Sequence, residues 1–192
     1  MVHQVSAAED RFRELFESNF RPLLAYALRR TEPREEAADV VAETFLVAWR
    51  RLDDVPEGAA ARPWLFGVAR RILSNQVRGQ WRRSRLVDRL RGDLIMAYPA
   101  TPVTEATVVG VALNRLDEAD RELLRLTAWE GLTPSDLAVV MDIPPGTARS
   151  RLHRARSRLR VELLALGWDE RLEVVGHVGV GERLLARDAG CD

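Results

Sequence analysis

The sequence predicts an all-α protein made of two small helical domains joined by a flexible linker. Apolar residues recur at three- and four-residue spacing through successive stretches, the mark of helices with one buried face. The two-residue alternation of half-buried strands is nearly absent. From Arg89 to Thr104 the helical period fades and Pro99 and Pro102 appear, which separates two helical groups by a tether. A chain of 192 residues, 46% of them hydrophobic, has material for two such cores.

Phe12, Leu15, Phe16, Phe20, Leu23 and Ala27 mark the first helix, and Ala38, Val41, Phe45, Ala48, Trp49 and Leu52 the second, with Glu32 and Pro33 between them. The segment VPEGAAARP, Val55 to Pro63, reads as a loop. A third helix is expected from Trp64 to Arg83 through Leu65, Val68, Ala69, Ile72 and Val77. The second group starts near Glu105, with Val108, Val111, Ala112 and Leu116 on one face. Asp117 is placed to cap a helix from Glu118 to Trp129 that Gly131 ends.

The stretch Leu132 to Arg160 carries the most information. Thr133 is suited to cap a helix, with Pro134 at its first position and Asp136 in its first turn. Leu137, Val140 and Met141 form its apolar face, and Asp142, Ile143 and Pro144 force a turn, because a residue before proline avoids helical dihedrals. Pro145 opens a second helix whose apolar stripe is Leu152, Ala155 and Leu159. Arginines at 149, 151, 154, 156, 158 and 160 fill the rest, with Ser150 and His153 among them. Two short helices with this turn and this basic face form a DNA-reading helix-turn-helix, since arginine grips phosphate or reads guanine through paired hydrogen bonds.

The formal net charge is zero, yet the charge is segregated along the chain. Between Trp64 and Arg91 eight arginines face the single acid Asp88, a net of +7, and Pro145 to Val161 adds +6. Glu32 to Glu57 is acidic, at −5, and so is the tail beyond Val161. Lysine is absent, so all the positive charge is arginine. A single cysteine, Cys191, excludes an intramolecular disulfide, and His3, His153 and His177 are too scattered for a metal site. No apolar run approaches membrane-spanning length and no signal-peptide pattern opens the chain, so a cytoplasmic protein is expected.

Three blocks then carry a resemblance: EEAADVVAETFLVAWRRL at 35–52, WLFGVARRILSNQVR at 64–78, and LDEADRELLRLTAWEGLTPSDLA followed by GTARSRLHRARSRLR. In this order and spacing the chain resembles the extracytoplasmic-function (ECF) sigma factors of the bacterial sigma-70 family, over residues 10–163. The resemblance implies sigma region 2 at 8–87, which binds the polymerase clamp and the minus-10 element. It implies a linker at 88–105, and at 106–165 a region 4 that binds the minus-35 element and the polymerase flap. The tail, 166–192, has no counterpart in the shortest members; it reads first as a disordered appendage, with a packed element or a degradation or partner signal as alternatives. The implied function is promoter selection for core RNA polymerase without catalytic residues, metal or cofactor, with promoter DNA and an anti-sigma factor as further partners.

Matched position by position, the resemblance puts minus-35 contacts on Arg149, Ser150, Arg151, His153 and Arg154, with Thr147 facing backbone phosphate. The minus-10 element and a base flipped from the duplex fall to Glu57, Gly58 and Arg62 of the loop and to Arg70, Arg71, Asn75, Arg78 and Arg82 of the following helix. Relatives often carry asparagine at the position of Arg71, and Asn75, one turn on, keeps an amide on that face. Trp64 either packs the helix or supports the loop. Asp39, Glu43, Leu46 and Trp49 match the polymerase-binding surface, although Phe45 and Trp49 also fit the core stripe and are expected there more than in direct contact.

The rival readings have distinct requirements. A stand-alone helix-turn-helix regulator binds its site without polymerase, and its sensing domain has no need of the basic Trp64 to Arg91 helix. A DNA-cleaving enzyme needs clustered acids or a poised nucleophile near that helix, whereas the carboxylates lie in the acidic segment and the tail. An adaptor or anti-sigma protein has no use for two promoter-reading surfaces.

Overall fold

The structure, a computed structural model, describes residues 2–33, 36–87 and 108–168, with side chains described for 7–33, 36–75 and 108–168. Among the described residues there are helices and turns and no strands. The chain divides into two compact units, the first holding α1 (Val2–Leu28), α2 (Glu36–Arg50) and α3 (Ala61–Val87). The second holds α4 (Val108–Asn114), α5 (Glu118–Ala128), α6 (Pro134–Met141) and α7 (Pro145–Ala165). The expected linker and the tail from residue 169 lie outside the described residues.

In the first unit Leu15, Leu23, Tyr26 and Ala27 of α1 pack with Leu65, Phe66, Ala69 and Ile72 of α3 and with the buried face of α2. Tyr26 and Phe66 meet edge to face with centroids 5.0 Å apart, a geometry that adds to their area burial. The buried face of α2 is Ala37, Val40, Val41, Thr44, Phe45 and Ala48, so the expected stripe is shifted: Ala38 is exposed and Trp49 is 44% exposed. Thr44 takes a core position because its hydroxyl donates to the Val40 carbonyl at 2.7 Å, which leaves no unpaired polar group inside. Phe16, expected in the core, is 38% exposed and forms a ring contact with Phe45 at 4.7 Å. The expected loop is shorter than the sequence suggests. A 3-10 turn spans Gly58–Ala60, and α3 begins at Ala61, so Arg62 and Pro63 belong to its first turn.

In the second unit α4 presents Gly110, Ala112 and Leu113 inward, while Val108 and Val111, expected on the packed face, point outward. A seven-residue helix has only two turns, and one side of it contacts the rest of the unit. Asp117 caps α5 as expected, accepting from the Asp120 amide at 2.8 Å, and Gly131 takes the left-handed conformation, φ +66°, just beyond the helix end.

Candidate nucleic-acid interface

The helix-turn-helix is built by local chemistry. The Thr133 hydroxyl accepts from the Asp136 amide at 3.2 Å while the Asp136 carboxylate accepts from the Thr133 amide at 2.9 Å, closing a reciprocal capping box on α6. At the other end Asp142 adopts φ 54°, the Ile143 amide donates to the Ala138 carbonyl at 3.0 Å and the Asp142 amide to Val139 at 3.3 Å. That pair of bonds is a Schellman stop, formed here on an aspartate where glycine is usual. Pro144 takes the N-cap position of α7, without a side-chain cap, and Pro145 occupies its first turn, so the chain leaves the stop directly into the second helix.

Ala148, Leu152, Ala155, Leu159 and Leu163 are all buried and form one seam along α7. On the outer side Gly146, Arg149, Ser150, His153 and Arg154 line a shallow open depression. Their spacing is that of a single helical face. Ser150 Oγ donates to the Thr147 carbonyl at 3.1 Å and Arg154 Nε to the Ser150 carbonyl at 3.3 Å, so these groups lie along the helix. Of the six residues predicted in this unit, four therefore share one concave surface. Arg151 is exposed but off that face, and Thr147 is half-buried.

In the first unit Asp39, Glu43 and Leu46 recur at i, i+4 and i+7 on the side of α2 opposite its buried face, and Trp49 flanks them. All four are exposed. Glu57 and Gly58 are exposed, with Gly58 at φ +59°, and the Arg62 guanidinium lies 5.6 Å from the Phe66 ring centroid. Arg71 and Asn75 are exposed one turn apart on α3, while Arg70 and Trp64 are half-buried. Positions 78 and 82 continue the helical spacing of 71 and 75, although the side chains of Arg78 and Arg82 lie outside the described residues.

Residues 15–83 match the family Sigma-70 region 2, and residues 107–159 match Sigma-70, region 4. The chain is 32% identical over 161 residues to the ECF RNA polymerase sigma factor SigL of Mycobacterium tuberculosis, covering 81% of this chain and 90% of that protein. It belongs to the ECF sigma factors of the sigma-70 family. It is likewise 28% identical to the ECF RNA polymerase sigma-E factor of Haemophilus influenzae, over 86% of this chain and 95% of that one. Among solved structures, the sigma factor RpoE in complex with the anti-sigma factor NepR from Bartonella quintana aligns with a TM-score of 0.60 at 28% identity, over 81% of this chain and 97% of that one. The structure of CnrH in complex with the cytosolic domain of CnrY aligns with a TM-score of 0.53 at 25% identity, over 80% of this chain and 88% of that one.

Three arginines of this sigma factor have roles that sequence reasoning did not find. Arg158 belongs by composition to the basic face of α7, yet its Nη1 reaches Asp117 at 3.2 Å and the nearly buried Asp120 more closely still. Hydrogen bonding and charge from Asp120 raise the pKa of its guanidinium above the ordinary arginine value. Arg121 donates to the carbonyls of Leu113, Asn114 and Leu116 at 3.1, 3.1 and 2.8 Å, closing the end of α4. Arg11 donates to the carbonyl of Val55 at 2.6 Å. Among the described residues no helix is long and apolar enough to cross a membrane, and no three His, Cys, Asp or Glu side chains converge as a metal would require.

Proposed function

We propose that this sigma factor reads the minus-35 element with the outer face of α7 and the minus-10 element with the loop before α3 and the exposed side of α3, while α2 docks on the polymerase clamp and the second unit on the flap. The observation that carries the reading is the depression on α7, where Arg149, Ser150, His153 and Arg154 converge on a helix whose opposite side is sealed into the core. Arg149 and Arg154 supply phosphate or guanine contacts, Ser150 and His153 adjustable hydrogen bonds, and Thr147 and Arg151 flanking backbone contacts. Glu57, Gly58 and Arg62 then frame a flipped base, Asn75 supplies an amide, and Arg70, Arg71, Arg78 and Arg82 hold phosphates of the opened strand.

The exposed row Asp39, Glu43, Leu46 with Trp49 supports protein docking, because acids on that face repel DNA while the two apolar side chains supply contact area. The protein acts by placing polymerase, without chemistry of its own and without cofactor, in the cytoplasm. Both solved relatives are bound to a second protein, and a protein of the anti-sigma kind is proposed as a partner here as well.

The test is transcription in vitro with bacterial core polymerase on fragmented genomic DNA, with transcript starts sequenced with and without the protein. New starts that share two spaced upstream motifs are expected. Sequence-specific DNA binding by the protein alone, with no new starts, overturns the reading in favour of a stand-alone regulator.

A further inference from the structure

The C-terminal half of α7 carries two opposite charges one turn apart, Arg158 and Glu162, and the corner between α4 and α5 carries their complements. Arg158 is held by Asp117 and Asp120, and Glu162 by Arg115 at 3.3 Å. The corner is itself fastened, because Asp117 caps α5 and Arg121 bonds three carbonyls around the end of α4. The partners are 38 to 47 residues apart in sequence, so the pairs join separate elements. Leu159 and Leu163, buried beside them, belong to the apolar seam of α7. Hydrophobic burial is non-directional and by itself sets the roll and axial position of a helix only coarsely, by turning the apolar stripe inward. Charges do fix both: sliding α7 by one turn brings Glu162 toward Asp117 and Asp120, or Arg158 toward Arg115, and like charges oppose each slip.

We propose that Arg158 and Glu162 are positioning residues whose clamp on the α4–α5 corner aims Arg149, Ser150, His153 and Arg154 at the minus-35 element, Arg158 serving this role and not that of a DNA contact. The inference rests on the promoter-reading function proposed above for α7. The reading residues lie roughly 6 to 14 Å up the helix axis from Arg158, at 1.5 Å per residue. A roll of about ten degrees displaces a surface group of a helix about 10–12 Å wide by about 1 Å, enough to break paired hydrogen bonds to a base edge. A clamp of charges far along the same helix is thus a lever on base choice. The raised pKa of the Arg158 guanidinium accords with a cation committed to carboxylates.

The experiment uses holoenzyme, core polymerase with the full chain, on a promoter found by transcript sequencing and on the same DNA with its upstream motif scrambled. Affinity is measured across a salt series, with circular dichroism confirming a folded protein at the assay temperature. Arg158→Ala is expected to reduce discrimination between the two DNAs by about tenfold, the size of one weakened base contact, while leaving the salt slope unchanged. Arg151→Ala, the control at a flanking backbone contact, lowers that slope by about one. Arg115→Glu and Glu162→Arg are each expected to lower discrimination, and the double swap to restore it. A salt slope lowered by about one in Arg158→Ala makes it a phosphate contact and overturns the proposal. So does a double swap no better than its singles. Wild-type holoenzyme that fails to distinguish the two DNAs at all would instead remove the promoter-reading function on which the proposal stands.

Discussion

Arg11, in the N-terminal half of α1, reaches across the first unit to the main-chain carbonyl of Val55, 44 residues on, with a 2.6 Å hydrogen bond. Val55 is buried and lies two residues before Glu57, so α1 grips the proximal end of the segment that frames the proposed base pocket. The carbonyl receives a charged donor there, a bond stronger than a neutral one.

Arg11→Ala should therefore loosen the pocket more than the fold. We expect the first unit to lose about 1.5 kcal/mol in urea unfolding, at the low end for a bond with a charged donor. Promoter opening, followed by permanganate reactivity of unpaired thymines, should fall several-fold while binding to a duplex bearing only the upstream element is unchanged. Equal losses in both assays would show that Arg11 supports the protein globally.

Arg121 sets up a second expectation. Its guanidinium serves the carbonyls of Leu113 and Asn114 in the last turn of α4 and of Leu116 just beyond it, and it does so with positive charge at the negative end of the helix dipole. Arg121→Ala is expected to cost the second unit about 2 kcal/mol, and thermal unfolding of a domain this small then drops by about 8 °C or more. Arg121→Lys should recover less than half, since one ammonium does not reproduce the planar fork. A lysine variant as stable as wild type would mean that charge alone suffices.

How much of this was legible depended on the range of the physics. Thr133, Pro134, Pro144 and Pro145 announce the helix-turn-helix because caps and proline constraints act within a few residues. Asp117 and Gly131 were readable for the same reason. The phase of α2 was less so: a buried stripe spans a wide arc, and Ala38 and Trp49 fall at its margins, where one helical step separates core from solvent. Arg11, Arg121 and Arg158 were not readable at all. In a chain whose every cation is arginine, composition does not separate one that binds DNA from one that holds a carbonyl or an aspartate dozens of residues away.

The exposed row on α2 separates binding from folding. Leu46 is 53% exposed, so Leu46→Ala should change stability by less than about 0.5 kcal/mol. It should nonetheless weaken core polymerase affinity at least about fivefold if Leu46 is a central anchor of the clamp interface, since the few residues that dominate an interface each cost over about 1 kcal/mol when truncated. Trp49→Ala is the less clean test, because the indole packs edge to face on Phe12 at 5.1 Å and its loss also costs stability. Unchanged polymerase affinity in titrations of labelled Leu46→Ala would remove this face from the proposed interface.

The depression on α7 ranks the arginines of this helix in a way the sequence does not. Arg149 and Arg154 line it, whereas Arg151 projects from another part of the helix surface. A side chain that faces the groove floor reads bases, and one on the flank meets the phosphates along the groove wall. Arg149→Ala and Arg154→Ala should each lower use of the upstream element by about 1–3 kcal/mol and relax its sequence requirement at a defined position. Arg151→Ala should weaken binding to all sequences alike, with a salt slope smaller by about one and no change of consensus. Transcript-start sequencing from a randomised upstream element, run with each variant, distinguishes the two behaviours. A consensus altered by Arg151→Ala and left intact by Arg149→Ala would mean that α7 enters the groove on a different face from the one its depression presents.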